Sequence, residues 1–201
     1  MTTTQLRHSL SYLLTPALTL FFTIGFTSWS PDVQAHKGHA GPMITFIKTK
    51  TALKEMLPSE AKIVKRKQPL KDDAIEWAKK NYGIELDDKK YSYYLATDKK
   101  SGAVLGAAYV TKINYRHGSL KLAVGINSDK QLTQAAILGI SEKYVVDFDG
   151  NVGKGLIKSY AGLSLQALLA KVEELTSSDK ATREFAAAVR DAVVLLAAFT
   201  R

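Results

Sequence analysis

Gly153-Lys154-Gly155 places a lysine between two glycines. That arrangement leaves backbone N–H groups open beside a cation, which is how a phosphate nest is built. It is too short and too common to be specific, and it lacks the G-K-[ST] ending of a Walker loop. Ser141-Glu142 sets two polar residues at the end of an apolar run, a place where ligand sites and ordinary loops both occur. His36 and His39 offer a different chemistry. If the chain is cut before His36, that residue carries a free α-amine and an imidazole, a pair that chelates copper or zinc, and His39 adds a third donor. The alternative is a tail whose histidines bind nothing. Asp147, Asp149 and Asn151 put oxygen donors at alternate positions, but no 12-residue loop ends in a bidentate Glu, so a turn is expected there rather than calcium. With no cysteine in 201 residues, haem attachment, iron–sulfur ligation and thiol catalysis are excluded. Ser11, Ser119 and Ser141 lack His and Asp partners in any order that hydrolases use.

The elements that would position these groups are legible from periodicity. Ala103 to Lys112 is rich in β-branched, small and aromatic residues, and Leu120 to Ile126 alternates Leu120, Leu122, Val124 and Ile126 against Lys121, Ala123 and Gly125. Leu132 to Ile140 is a third apolar run. The turn clusters Arg116–Ser119 and Asn127–Lys130 separate them, so three strands in an antiparallel meander are expected, with the small or polar face of the middle strand outward. Tyr91 to Thr97 is a strand before them, and Lys62 to Arg66 an edge strand blunted by its charges. Helices are expected over Thr49–Leu57, from Pro69 to Asn81 with Gly83 after its end, over Leu165–Leu175 behind Ser164, and over Lys180–Ala198. Trp77 falls on the apolar stripe of the second helix, so it is read as core. The fold class is α+β: an antiparallel sheet of five to six strands with packed helices.

The formal net charge is +9. Lysines are scattered, often in pairs at element ends, which fits a solvated basic surface or contact with an acidic partner or membrane surface. No aromatic RNA-binding signature or helix-turn-helix pattern is present, so no nucleic acid partner is expected. Leu10 to Trp29 is almost wholly apolar, and Val33-Gln34-Ala35 has the small-residue character of a cleavage site. Residues 1–35 therefore read as a secretory signal peptide cut after Ala35, the alternative being an uncleaved N-terminal membrane anchor. Residues 36–48 form a flexible His-containing segment, and 49–201 the folded domain.

Gly118, Leu120, Ala123, Val124, Gly125, Ile126 and Glu142 follow the order "turn with Gly, G-x-L-x-x-A-V-G-I, polar turn, strand ending in Glu". Ala52–Ile63 adds a helix-then-Pro opening, and Gly155–Leu165 a segment of hydrophobic residue, Lys, aromatic and Gly. In this order the chain, over roughly Thr51 to Leu196, resembles the FMN-binding domain of periplasmic flavoproteins, such as the flavin subunits of Rnf complexes and of the sodium-pumping NADH:quinone reductase. The resemblance implies an exported electron-transfer flavoprotein component rather than a stand-alone enzyme. Its partner would be a membrane redox complex or a periplasmic electron carrier, and the flavin would do the redox work. It also implies FMN held between Ser141-Glu142, Gly153-Lys154-Gly155 and the start of the last helix at Lys180 and Thr182. Covalent members esterify the FMN phosphate to a Thr in a D-x-x-[ST]-G-A-T motif. Here Ala181-Thr182 fits, but Lys180 replaces the Gly and Thr176 the Asp. The E-T-P-G-L-G loop is reduced to Glu142 followed by Lys143-Tyr144. These departures count against covalent attachment and leave non-covalent FMN and an apo module that keeps only the fold both open. The alternative function is a cofactor-free or metal-binding periplasmic accessory protein that keeps only the fold.

Overall fold

Leu120, Leu122, Val124 and Ile126 are fully buried in the computed structural model, and the alternating residues Ala123 and Gly125 are buried too. The middle strand of the meander is thus covered on both faces. The structure describes residues 39–148, 160–175 and 180–201. The leader, its cleavage point after Ala35, His36, the Gly153-Lys154-Gly155 nest and the loop 176–179 lie outside the described residues.

Six strands form one antiparallel sheet: β1 (Met43–Thr45), β2 (Lys62–Pro69), β3 (Lys90–Thr97), β4 (Val104–Tyr115), β5 (Gly118–Asn127) and β6 (Leu132–Ser141). Their spatial order is β1-β6-β5-β4-β3-β2. The meander expected from the sequence is therefore the centre of the sheet, and β1 adds itself to its far edge, with Met43 opposite Ser141. That short strand lies within the segment 36–48 expected to be a flexible tail. Three residues with little alternation carry no strand signal of their own, and the strand exists because β6 leaves an edge to pair with.

The helices are α1 (Thr49–Met56), α2 (Asp72–Tyr82), α3 (Val145–Phe148, a single turn), α4 (Leu165–Glu174) and α5 (Lys180–Phe199). On one face α2, α4 and α5 pack over the main core, where Phe185, Val189, Val193 and Leu196 of α5 meet Leu120, Leu122, Val124 and Ile126. On the other face α1 packs Ala52, Leu53 and Met56 against Ala96, Ala108, Ala123, Ala136 and Leu138. The small face of β5, expected to point outward, is the seat of this helix. A Cβ on Gly125 would lie 2.8 Å from Met56 Cβ and 2.7 Å from Thr133 Oγ1, and the Thr133 hydroxyl donates to the Met56 carbonyl at 2.9 Å. Small residues are needed where the backbone of a helix approaches a sheet this closely.

Two helix boundaries follow ordinary capping chemistry. Ser164 Oγ accepts the Ala167 N–H at 3.2 Å at the start of α4, and Gly83 closes α2 in the left-handed conformation with φ 65°. Pro69, expected to open α2, is instead the last residue of β2 opposite Lys90. An edge strand tolerates a proline because one side of its ladder is unpaired, and the acidic pair Asp72-Asp73 then starts the helix in favour of its dipole. Trp77 is half-buried against the core and meets Tyr82 edge-on at 5.0 Å.

Candidate functional site

Tyr115 and Gly118 are directly paired, which leaves Arg116-His117 as a two-residue turn between β4 and β5. Arg116 takes a positive φ of 53°. Hairpin turns usually assign glycine or asparagine to such a position, because an L side chain there is strained. The arginine is held in place by its contacts. Its Nε lies 3.2 Å from Asp147 Oδ2, and its guanidinium sits over the rings of Tyr115 at 5.8 Å and Tyr144 at 5.6 Å. Tyr115 and Tyr144 meet edge-on at 5.9 Å. The Tyr115 hydroxyl donates to Asp147 at 3.1 Å, and the Tyr144 hydroxyl accepts the His117 N–H at 3.3 Å. Burial first, and then the Asp147 carboxylate, push the Tyr115 phenol up to about 12.

Because β5 lies antiparallel between β4 and β6, the β4–β5 turn and the end of β6 fall at the same end of the sheet. Ser141 ties them together. It is buried, and its Oγ accepts the Ser119 N–H at 3.0 Å. Gly118 is glycine for this reason: a Cβ there would lie 2.7 Å from Ser141 Oγ and 2.9 Å from Ala40 Cβ. After Ser141 the chain makes a 3₁₀ turn, Glu142–Tyr144, whose Glu142 and Lys143 N–H groups donate to Pro42 and Ala40. The first turn of α5 reaches the same corner.

Together these three pieces enclose a cleft of about 660 Å³ lined by Asn114, Arg116, His117, Lys143, Tyr144, Lys180, Ala181 and Glu184. The volume is typical of small-molecule sites, which span roughly 300–1,000 Å³. Its charge is predominantly positive. Arg116 is neutralised by Asp147, and Lys180 reaches Glu184 at 3.6 Å, while neither His117 nor Lys143 has an ion-pair partner among the described residues. The Lys180 side chain is 83% exposed, so its pairing with Glu184 is weak and easily exchanged. A second depression of about 550 Å³ along α2 mixes Asp73 and Glu76 with Lys79 and Lys80 and gathers no single charge.

The residues singled out from the sequence take different places. Lys180 lines the cleft. Ser141 stands behind it as a tether, and the Glu142 side chain folds back over Gly41. Thr182 is buried at 3% exposure on the core-facing side of α5 with Phe185 and Ala186. Gly153, Lys154 and Gly155 are outside the described residues, as is His36; His39 is exposed, and no group of three or more potential metal ligands occurs among the described residues. Arg116, His117 and Lys143 carry the cleft without having been singled out. The adjacent Arg-His pair in a tight turn was the available signal, but its meaning depends on which strand end faces the turn. Among the described residues no helix is long and apolar enough to cross a membrane. The chain matches no family model, no curated protein and no solved structure.

Proposed function

We propose that the cleft between the Arg116-His117 turn, the Glu142–Tyr144 turn and the first turn of α5 binds an organic phosphate, and that this ligand is FMN. The protein would then be an exported flavoprotein that passes electrons between a membrane redox complex and another carrier. The observation that carries the reading is convergence: Arg116, His117, Lys143 and Lys180 come from three separate elements and line one cleft with a tyrosine in its wall. A phosphate carrying close to two negative charges suits such a cluster beside the positive end of a helix dipole. The burial of Thr182 favours non-covalent attachment, because an ester on that hydroxyl would require the first turn of α5 to open.

Absorption spectroscopy of the protein after equilibration with FMN and gel filtration tests this. Retained flavin bands, released on denaturation, are the expected result. Flavin that stays with the denatured chain and is lost in Thr182→Ala would establish the ester instead. No retained flavin at micromolar FMN would remove the functional reading. A cofactor-free accessory protein is the second reading, and one observation favours it: Arg116 and Lys180 each already have an acidic partner within the chain.

A further inference from the structure

No Asp or Glu occurs in any of the six strands, whereas lysines recur along them. Strand register sorts these lysines by face. Lys65 stands opposite Tyr94 and Lys67 opposite Ser92, while Lys112 stands directly opposite Lys121. Tyr94, Val110 and Ala123 belong to the face that carries α1, and alternation puts Lys65, Lys67, Lys90, Lys112 and Lys121 on that same face. The eight-residue α1 touches β4, β5 and β6 and leaves the rest of this face open. Lys65, Lys67, Lys90 and Lys112 are exposed there, and Lys121, whose Nζ donates to Thr49 Oγ1 at 3.1 Å, is half-buried. None of the five has an ion-pair partner among the described residues.

Lysines on β2 alone would be explained as protection of an exposed sheet edge. That explanation does not extend to Lys112 and Lys121. They lie on interior strands, already paired on both sides, and like charges directly opposite one another destabilise a sheet. A face that tolerates this repulsion with no acid in its strands is suited to an external anion. We propose that this open face docks on an anionic lipid bilayer. The array lies across an open sheet face rather than in a groove, and it is built from lysines, which act as point charges. It has no arginine and one partly exposed aromatic, Tyr94, so it lacks the bidentate donors and stacking platforms that nucleic acid recognition uses. Ile63, Tyr94 and Val110 lie between the lysines as small apolar contacts for the headgroup layer. The proposal is independent of the flavin reading.

The test is co-sedimentation of the full chain with phosphatidylglycerol/phosphatidylcholine vesicles, read as the excess over phosphatidylcholine vesicles alone. The excess measure cancels any insertion by the apolar N-terminal run. Wild type should show a salt-sensitive excess. The triple variant Lys65→Gln/Lys67→Gln/Lys112→Gln should reduce it about a hundredfold, from about 1 kcal/mol per lysine. A control triple of equal charge, Lys71→Gln/Lys80→Gln/Lys171→Gln, should keep most of it. Circular dichroism confirms that both triples fold. Equal losses in the two triples would overturn the proposal in favour of diffuse charge, and the absence of any excess in wild type would overturn it outright. Wild-type binding to an oligonucleotide or an acidic polypeptide, lost in the first triple and without vesicle excess, would reassign the face and overturn the lipid partner.

Discussion

Arg116 joins the local backbone to the cleft. Its positive φ is a conformation that costs an L residue roughly 1–2 kcal/mol, and its side chain offsets this through Asp147 and two tyrosine rings. Arg116→Ala and Arg116→Gly lose the same side-chain contacts, but only glycine relieves the backbone. Thermal unfolding should therefore find Arg116→Gly the more stable of the two by about 1 kcal/mol, with FMN weakened similarly in both. Equal stabilities would contradict the strained turn. Tyr115 and Tyr160 give a pH prediction. Both are fully buried, and burial pushes each phenol up to about 12, with Asp147 adding to the shift at Tyr115. A folded-state value above the unfolded one means stability that is complete below about pH 10 and lost as pH rises towards 12. Alkaline unfolding should fall in that window, and Tyr160→Phe, whose hydroxyl has no hydrogen-bond partner among the described residues, should move it to higher pH. A midpoint unchanged by that substitution would contradict the assignment.

Among the elements, the seat of α1 on β5 is the contact with least room. Gly125→Ala would place a methyl carbon within 2.8 Å of Met56 Cβ and within 2.7 Å of Thr133 Oγ1. It should destabilise the fold by about 1–3 kcal/mol, the ordinary range for an overpacked contact. Chemical denaturation measures this, and an unchanged midpoint would show that α1 can shift freely. The same contact shows where sequence reasoning reached and where it stopped. Alternation in β5 identified the strand and its Leu120–Ile126 core face correctly, because a period of two is a local property. Whether Lys121, Ala123 and Gly125 face water or a helix is not local. It depends on α1, some distance earlier in the chain, crossing back over the sheet, as in the Lys121–Thr49 hydrogen bond between residues 72 apart. Pro69 was misplaced for a similar reason: a proline suits both the first turn of a helix and the end of an edge strand. The corner of the cleft was half legible. Lys180 followed from the order of motifs, while Arg116, His117 and Lys143 became a set only when the antiparallel order brought the β4–β5 turn beside the end of β6.

At the scale of the whole molecule, the net charge is +9, and two groups of its cations are gathered. One cationic group lines a cleft at the end of the sheet, and a second lies across the open face beside α1. The two arrangements suit different anions: a concave site for a small phosphate ester and an open sheet face for a charged surface. If the cleft recognises a phosphate through its cations, FMN and riboflavin are the ligands that separate it from a site for the ring alone, since the two differ only by that phosphate. Fluorescence titration should find FMN bound at least tenfold more tightly than riboflavin by wild type. Lys143→Glu/Lys180→Glu should erase that preference by weakening FMN roughly a hundredfold, from two charge-assisted contacts of about 1.5 kcal/mol each, while leaving riboflavin little changed. Equal binding of the two ligands by wild type, or a preference for FMN that survives the double substitution, would contradict the account.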